Sequence, residues 1–349
     1  MSSNLLFFFI FFFVIVCART VCNAATIPKY TAMIVIGDST VDPGNNNFIP
    51  TLFRSNFIPY GQDFPNHIPS GRFTNGKLVT DILAALFGIK ELVPAYLNPR
   101  LSNDDLRTGV SFASAGSGLD DLTEAEGGVI PVSKQTQIYF KAYKERLITV
   151  VGDKEANRIV SGALVVISAG TNDLVFNFYR KESSIISQYQ DFLLEKLRDR
   201  IQDLYNLGGR TFGIPGLGPV GCIPLVMTLK LKARVCLEDV NADASLFNTK
   251  LQKLLHKLQA TLPGTIFTYV DLYGLISDMI KNPQKYGFTV TNRGCCGSGL
   301  LELGPLCNAL TPTCSNTSQF LFWDAVHPSE AVYKVAAKLA FDTLQNAKP

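Results

Sequence analysis

Residues 32–47 read AMIVIGDSTVDPGNNN. Met33 to Ile36 are apolar and mostly β-branched, and the run ends abruptly at Gly37-Asp38-Ser39, the pattern of a buried strand breaking into a tight turn. A serine in that place stands at the mouth of a sheet with its hydroxyl available. Taken alone, it is more often an ST-turn residue bonding its own backbone. A nucleophile needs partners elsewhere in the chain.

Further along, Gly109 to Ala113 reads as a second strand running into the small-residue loop Ser114-Ala115-Gly116-Ser117-Gly118. Ala163 to Ser168, ALVVIS, is the clearest buried strand and stops at Ala169-Gly170-Thr171-Asn172-Asp173. Arg210 to Ile214 and Thr265 to Val270 complete a set of five. Helical periodicity covers Lys77 to Phe87, Pro131 to Val151, Lys154 to Val160, Ser187 to Leu207, Asn241 to Gln259 and Pro328 to Leu344. Asp271 to Phe322 reads as largely irregular. Strands separated by helices imply βαβ units, hence an α/β fold with a parallel sheet covered on both faces. Loops that follow strands then gather at one end, where such sheets bind ligands. Ser39, Gly116 and Asn172 follow the first three strands and are expected at one crevice.

Leu5 to Ala18 is a run of about 14 apolar residues, short of the roughly 20 a membrane span takes, and the small residues Asn23-Ala24-Ala25 follow. Residues 1–25 are therefore expected to be a cleaved signal peptide, although no Lys or Arg precedes the run. No second stretch approaches spanning length, so no stable membrane insertion is expected after cleavage. Residues 26–349 carry no linker or composition shift and are expected to form a single domain. The net charge of +3 is spread along the chain and gives no electrostatic case for nucleic acid.

Cys17 and Cys22 leave with the signal; Cys222, Cys236, Cys295, Cys296, Cys307 and Cys314 remain. An even number in a secreted chain argues for three disulfides, and the absence of a C-x-x-C pair or histidine cluster argues against structural zinc. Cys222 is expected to pair with Cys236, and Cys295 and Cys296 to reach Cys307 and Cys314. Asn316-Thr317-Ser318 is the only N-x-[ST] sequon, and glycosylation of Asn316 would place it on the surface.

Ser39 needs a general base, and the base an orienting carboxylate. Of three histidines, His256 sits inside a helical pattern and His67 in a polar loop. His327 stands in Asp324-Ala325-Val326-His327-Pro328, three residues after a carboxylate. Pro328 suits the first helical position and Glu330 the third, which places His327 at or near the N-cap. A capping turn with an incidental histidine is the alternative. Asp324 would accept the Nδ1 proton and fix the tautomer. The backbone N–H groups of Ser39 and Gly116 and the amide of Asn172 are candidate oxyanion donors; turn roles for Gly116 and Asn172 are the bland alternatives.

GDST at Gly37 to Thr40, GVSFASAGSG at Gly109 to Gly118, GTND at Gly170 to Asp173 and DAVHP at Asp324 to Pro328 resemble, in order, the four blocks of the SGNH, or GDSL, hydrolase superfamily. VDPGNNN, PYGQDFP, SGRFTNGK and GPVGCIP resemble its secreted plant esterase/lipase branch over nearly the whole mature chain. The one departure is Thr40, where the family name expects Leu. The resemblance implies Ser39 as nucleophile, His327 and Asp324 completing the triad, and Ser39, Gly116 and Asn172 as oxyanion donors on a flavodoxin-like three-layer αβα sandwich. It implies no metal or organic cofactor, an extracellular location in wall or apoplast, and an ester substrate: a lipid, a cuticular polyester or an acetylated polysaccharide. Acyl transfer to another alcohol would use the same residues. A non-catalytic binding or defence-related protein on this scaffold would have lost a block residue, and none is lost.

Overall fold

The computed structural model describes residues 29–123, 125–179, 185–230 and 234–347. The expected signal peptide lies outside them. Four strands, β1 (Met33–Gly37), β2 (Leu164–Ser168), β3 (Thr211–Pro215) and β4 (Ile266–Val270), form a parallel sheet in that spatial order. The register runs Met33 opposite Leu164, Leu164 opposite Thr211, and Thr211 opposite Ile266.

The second expected strand, Gly109 to Ala113, lies on the free side of β1. Val35 donates to Val110 O at 3.1 Å, and Phe112 and Ser114 donate to Val35 O and Gly37 O at 2.8 and 3.0 Å. Ser111 forms an isolated parallel bridge with Val35 and another with Ala95. With this segment counted, the chain order across the sheet is second, first, third, fourth, fifth. The order reverses beside β1, which is where a ligand crevice belongs in an open parallel sheet.

The longer helices are α1 (Val79–Leu86), α2 (Lys141–Val151), α3 (Asp153–Ser161), α4 (Ile186–Asn206), α5 (Glu238–Thr261), α6 (Leu272–Lys281) and α7 (Glu330–Gln345). Alternation within the strands assigns them to layers. Ile34, Ile36, Val165, Ile167, Phe212 and Ile214 face one core with α2 to α5, whereas Met33, Val35, Leu164 and Val166 face a second core with α1 and α7. In α5 the buried residues Val240, Ala244, Phe247, Leu251, Leu255 and Leu258 recur every three or four positions, the stripe a sheet-covering helix requires. Each large side chain so buried contributes roughly 1.5–3 kcal/mol. The three-layer αβα arrangement is the one the resemblance implied. Among the described residues no helix is long and apolar enough to cross a membrane.

The stretch from Asp271 to Phe322, read as largely irregular, contains α6 and a small parallel pair, β5 (Val290–Gly294) with β6 (Phe320–Phe322). Disulfides join Cys222 to Cys236, Cys295 to Cys314 and Cys296 to Cys307. The latter two staple the loops around the buried Trp323.

Candidate active site

Ser39 is set by the end of β1. A Cβ on Gly37 would lie 2.1 Å from Ser168 O, so only glycine lets β1 and β2 close to this spacing. The turn after it is held by Asp38, whose Oδ1 accepts the Thr40 N–H and hydroxyl at 2.9 and 2.7 Å. Burial pushes the Asp38 carboxyl up, and those Thr40 hydrogen bonds oppose the shift. The side chain that departs from the family pattern thus satisfies a buried carboxylate. Ser39 is 7% exposed.

His327 Nε2 lies 2.8 Å from Ser39 Oγ. Its Nδ1 lies 2.8 Å from Asp324 Oδ2 and 3.0 Å from Oδ1. Asp324 Oδ1 also accepts the backbone N–H groups of Val326 and His327 at 2.8 and 2.7 Å. Asp324 and His327 are both buried. The expected helix start is corrected here: α7 begins at Glu330 with Ser329 as N-cap, so His327 stands outside the helix. Phe322 bridges Pro328 and the Ser329 N–H donates to Leu321 O, holding the backbone extended until then. The other two histidines, His67 and His256, are exposed.

Gly116 and Asn172 are linked through Ser117. Asn172 Nδ2 donates to Ser117 O at 2.9 Å, and Ser117 Oγ donates to Gly37 O at 2.9 Å. The loop bearing Gly116 is gripped from two sides. On one, Asp42 accepts the N–H groups of Gly44, Asn45 and Ala115, Asn45 donates to Ser111 O and Ala113 O, and Asn46 donates to Ala115 O. The polar run VDPGNNN is therefore a buried clamp. On the other, Asp173 accepts the N–H groups of Leu119 and Asp120 and the Thr123 hydroxyl at 2.9, 2.9 and 2.7 Å. Burial pushes the carboxyls of both Asp42 and Asp173 up to about 6.

Several supporting residues escaped the sequence reading. Tyr60, in PYGQDFP, donates to Asp324 Oδ2 at 2.8 Å. Gln135 accepts the Gly37 N–H and donates to Gly37 O, at 2.8 and 2.9 Å. The SGRFTNGK segment lays the Phe73 ring 4.9 Å from the His327 ring and sends the Thr74 hydroxyl to Pro328 O. For Tyr60, Phe73 and Thr74 the signal was a polar or aromatic residue inside a motif noted only as a branch marker; Gln135 lies in none of those motifs.

A cavity of about 160 Å³ opens at Ser39 and Asn172 and is lined mainly by apolar groups. Among the described residues no cluster of three His, Cys, Asp or Glu side chains is placed to hold a metal ion. The arrangement offers an alcohol, an imidazole and a carboxylate in sequence, beside loops rich in N–H donors. Asn316 is exposed, with its Oδ1 accepting the Ser318 N–H and hydroxyl at 3.1 and 2.7 Å.

Residues 33–340 match the family model described as GDSL-like lipase/acylhydrolase. Two proteins of Arabidopsis thaliana, GDSL esterase/lipase At2g31550 and At2g31540, are 50% identical to this chain over 90% and 91% of its length and 89% and 90% of their own. A third, GDSL esterase/lipase At2g30310 of the same organism, is 47% identical over 95% of this chain and 94% of its own.

Proposed function

Since the chain belongs to the GDSL-like lipase/acylhydrolase family, we propose that it is a secreted serine esterase that hydrolyses carboxylic esters at Ser39. The observation that carries this reading is the 2.8 Å approach of His327 Nε2 to Ser39 Oγ, with Asp324 on the opposite ring nitrogen.

In the first half-reaction His327 Nε2 takes the Ser39 proton as Oγ attacks the ester carbonyl carbon. Asp324 accepts the Nδ1 proton, fixes the ring and stabilises the imidazolium that forms. The oxyanion of the tetrahedral intermediate receives the N–H groups of Ser39 and Gly116 and an amide N–H of Asn172; each such donor typically contributes about 100- to 1,000-fold in rate. Collapse expels the alcohol, which takes the proton from His327. In the second half-reaction His327 deprotonates water, which attacks the acyl-Ser39 carbonyl and releases the carboxylic acid, and the proton returns to Ser39 Oγ. Three disulfides fit an oxidising compartment, and we assign residues 1–25 as the export signal and exposed Asn316 as a glycan acceptor.

The test is hydrolysis of p-nitrophenyl esters by the oxidised protein beside Ser39→Ala, with labelling by a fluorophosphonate. Loss of turnover and of labelling in a folded Ser39→Ala protein is expected. Wild-type turnover in that variant removes the proposal.

A further inference from the structure

We propose that Tyr333 and Asp38 seat the water that hydrolyses acyl-Ser39, and so make water rather than an alcohol the acyl acceptor. This rests on the serine esterase reading and adds to it the choice of acceptor.

Among the mainly apolar groups around the cavity at Ser39 stand the polar side chains of Asp38, Thr40, Ser168 and Tyr333. Thr40 and Ser168 are spent. The Thr40 N–H and hydroxyl both donate to Asp38 Oδ1, at 2.9 and 2.7 Å, and Thr40 Oγ1 lies 3.2 Å from Ser168 Oγ, which makes Ser168 the donor in that contact. Both hydrogen bonds to the carboxylate fall on Oδ1, which leaves Oδ2 to accept from elsewhere. Tyr333 stands in the first turn of α7, is buried, and its hydroxyl has no hydrogen-bond partner among the described residues. A buried hydroxyl without a partner is costly. Burial and the charges of Asp38 and Asp324 hold this phenol well above its usual range, so it keeps its proton and serves as a donor.

One donor and one acceptor therefore border the same space as the nucleophile. A ligand that satisfies both must accept from Tyr333 and donate to Asp38, and water does so with one proton and one lone pair to spare. A water needs roughly 10–15 Å³ and two to four polar partners; the cavity of about 160 Å³ has the room. From this seat His327 Nε2 takes the spare proton as that O–H bond breaks, and the oxygen forms its bond to the acyl carbonyl carbon. When the tetrahedral intermediate collapses, the bond from that carbon to Ser39 Oγ breaks, Oγ takes the proton from His327, and the carboxylic acid leaves. An alcohol has a single O–H. If it gives that proton to His327, its carbon substituent faces the Asp38 carboxylate and leaves it unpaired. A site built to hydrogen-bond one reactant rejects the analogue that lacks the matching group.

The experiment gives the disulfide-bonded protein p-nitrophenyl butyrate in buffer containing methanol, and measures the butyric acid and methyl butyrate formed. Both products come from one acyl-enzyme, so their ratio is independent of ester binding and of the rate of acylation. A role for Tyr333 in packing alone would not move it. Tyr333→Phe removes no hydrogen bond made among the described residues, so a native melting profile is expected. It should raise the ratio of methyl ester to acid by about fivefold or more, the order of one hydrogen bond, and leave the initial burst of p-nitrophenol in place. Asp38→Asn keeps an oxygen for Thr40 and puts an amide nitrogen, which cannot accept, in place of Oδ2. It should raise the ratio in the same direction.

An unchanged or lowered ratio in either folded variant overturns the water seat. With a wild type that turns the ester over, that result leaves the esterase reading standing. A wild type with neither burst nor turnover removes the esterase reading, and the water seat with it.

Discussion

Tyr60 Oη donates to Asp324 Oδ2 at 2.8 Å and accepts the Gly304 N–H at 2.9 Å, so one buried phenol joins the carboxylate behind His327 to the disulfide-stapled loop. Burial and the Asp324 charge hold that phenol well above its usual range, so it acts as a fixed donor.

Tyr60→Phe removes the donor to Asp324 and leaves the Gly304 N–H without its acceptor. A buried unsatisfied donor costs about 1–3 kcal/mol. Loss of a partner that orients a metal-ligating side chain typically costs about 10- to 100-fold, and a loss of the same order is expected for the group that orients Asp324. The expected outcome is a fall in kcat of that order with KM nearly unchanged, together with a lower urea midpoint. An unchanged kcat in the folded variant would show that the carboxylate is positioned by the Val326 and His327 N–H groups alone.

Asp173 carries a pH signature. Burial raises its folded pKa to about 6 from an unfolded value near 3.8. The folded state therefore binds more proton between these values, so the contribution is fully present below about pH 3.8 and is lost as pH rises through about 6. Asp173→Asn removes this dependence, and the difference in unfolding free energy between variant and wild type should change by up to about 3 kcal/mol from pH 3.5 to pH 7. Urea titrations at both values check it; parallel pH profiles would show that Asp173 titrates alike in both states.

Arg72 and Asp81 form a buried two-pronged pair, Nε to Oδ2 at 2.7 Å and Nη2 to Oδ1 at 2.8 Å. Asp81 also accepts the Leu78 and Val93 N–H groups. Arg72→Met strands the carboxylate and should cost about 3–5 kcal/mol. Adding Asp81→Asn should recover part of the loss by removing the charge. Calorimetric melting of the single and double variants measures this coupling.

The strand-and-turn at Met33 to Ser39 and the three-residue spacing of Asp324 and His327 were legible because each is local. A run of β-branched residues ending at Gly37 has one economical fold, and a short spacing between a carboxylate and an imidazole leaves few geometries. The position of His327 relative to α7 was not legible. Pro328 and Glu330 favour an earlier helix start, but pairing of the segment with Phe320 to Trp323 overrides them: the Trp323 N–H donates to His327 O at 2.7 Å, and Ser329 spends its hydroxyl on Phe320 O. Tyr60 lies 264 residues from Asp324 in the chain, beyond the reach of any periodicity. The β5–β6 pair escaped for the opposite reason, since a three-residue strand is too short to show alternation. VDPGNNN stood out only as a motif of the plant branch, because composition records polarity and not the carbonyls that Asn45 and Asn46 meet.

The Cys296–Cys307 bridge encloses both Gly304, which donates to Tyr60, and Glu302, whose carbonyl accepts the Ala325 N–H at 2.9 Å beside Asp324. Cys222–Cys236 closes a loop of similar length, with a sequence separation of 14 against 11. In the chain-entropy view each should stabilise the fold by about 3 kcal/mol. Their effects on turnover should differ. Replacing Cys296 and Cys307 by alanine releases the loop that backs Asp324 and should lower kcat, measured below the melting point, about tenfold more than replacing Cys222 and Cys236, the order of loss seen when partners that orient metal ligands are removed. Equal losses of stability with equal kcat values would mean that Tyr60 and Asp324 keep their places without the staple, and that the bridge acts on the unfolded chain alone.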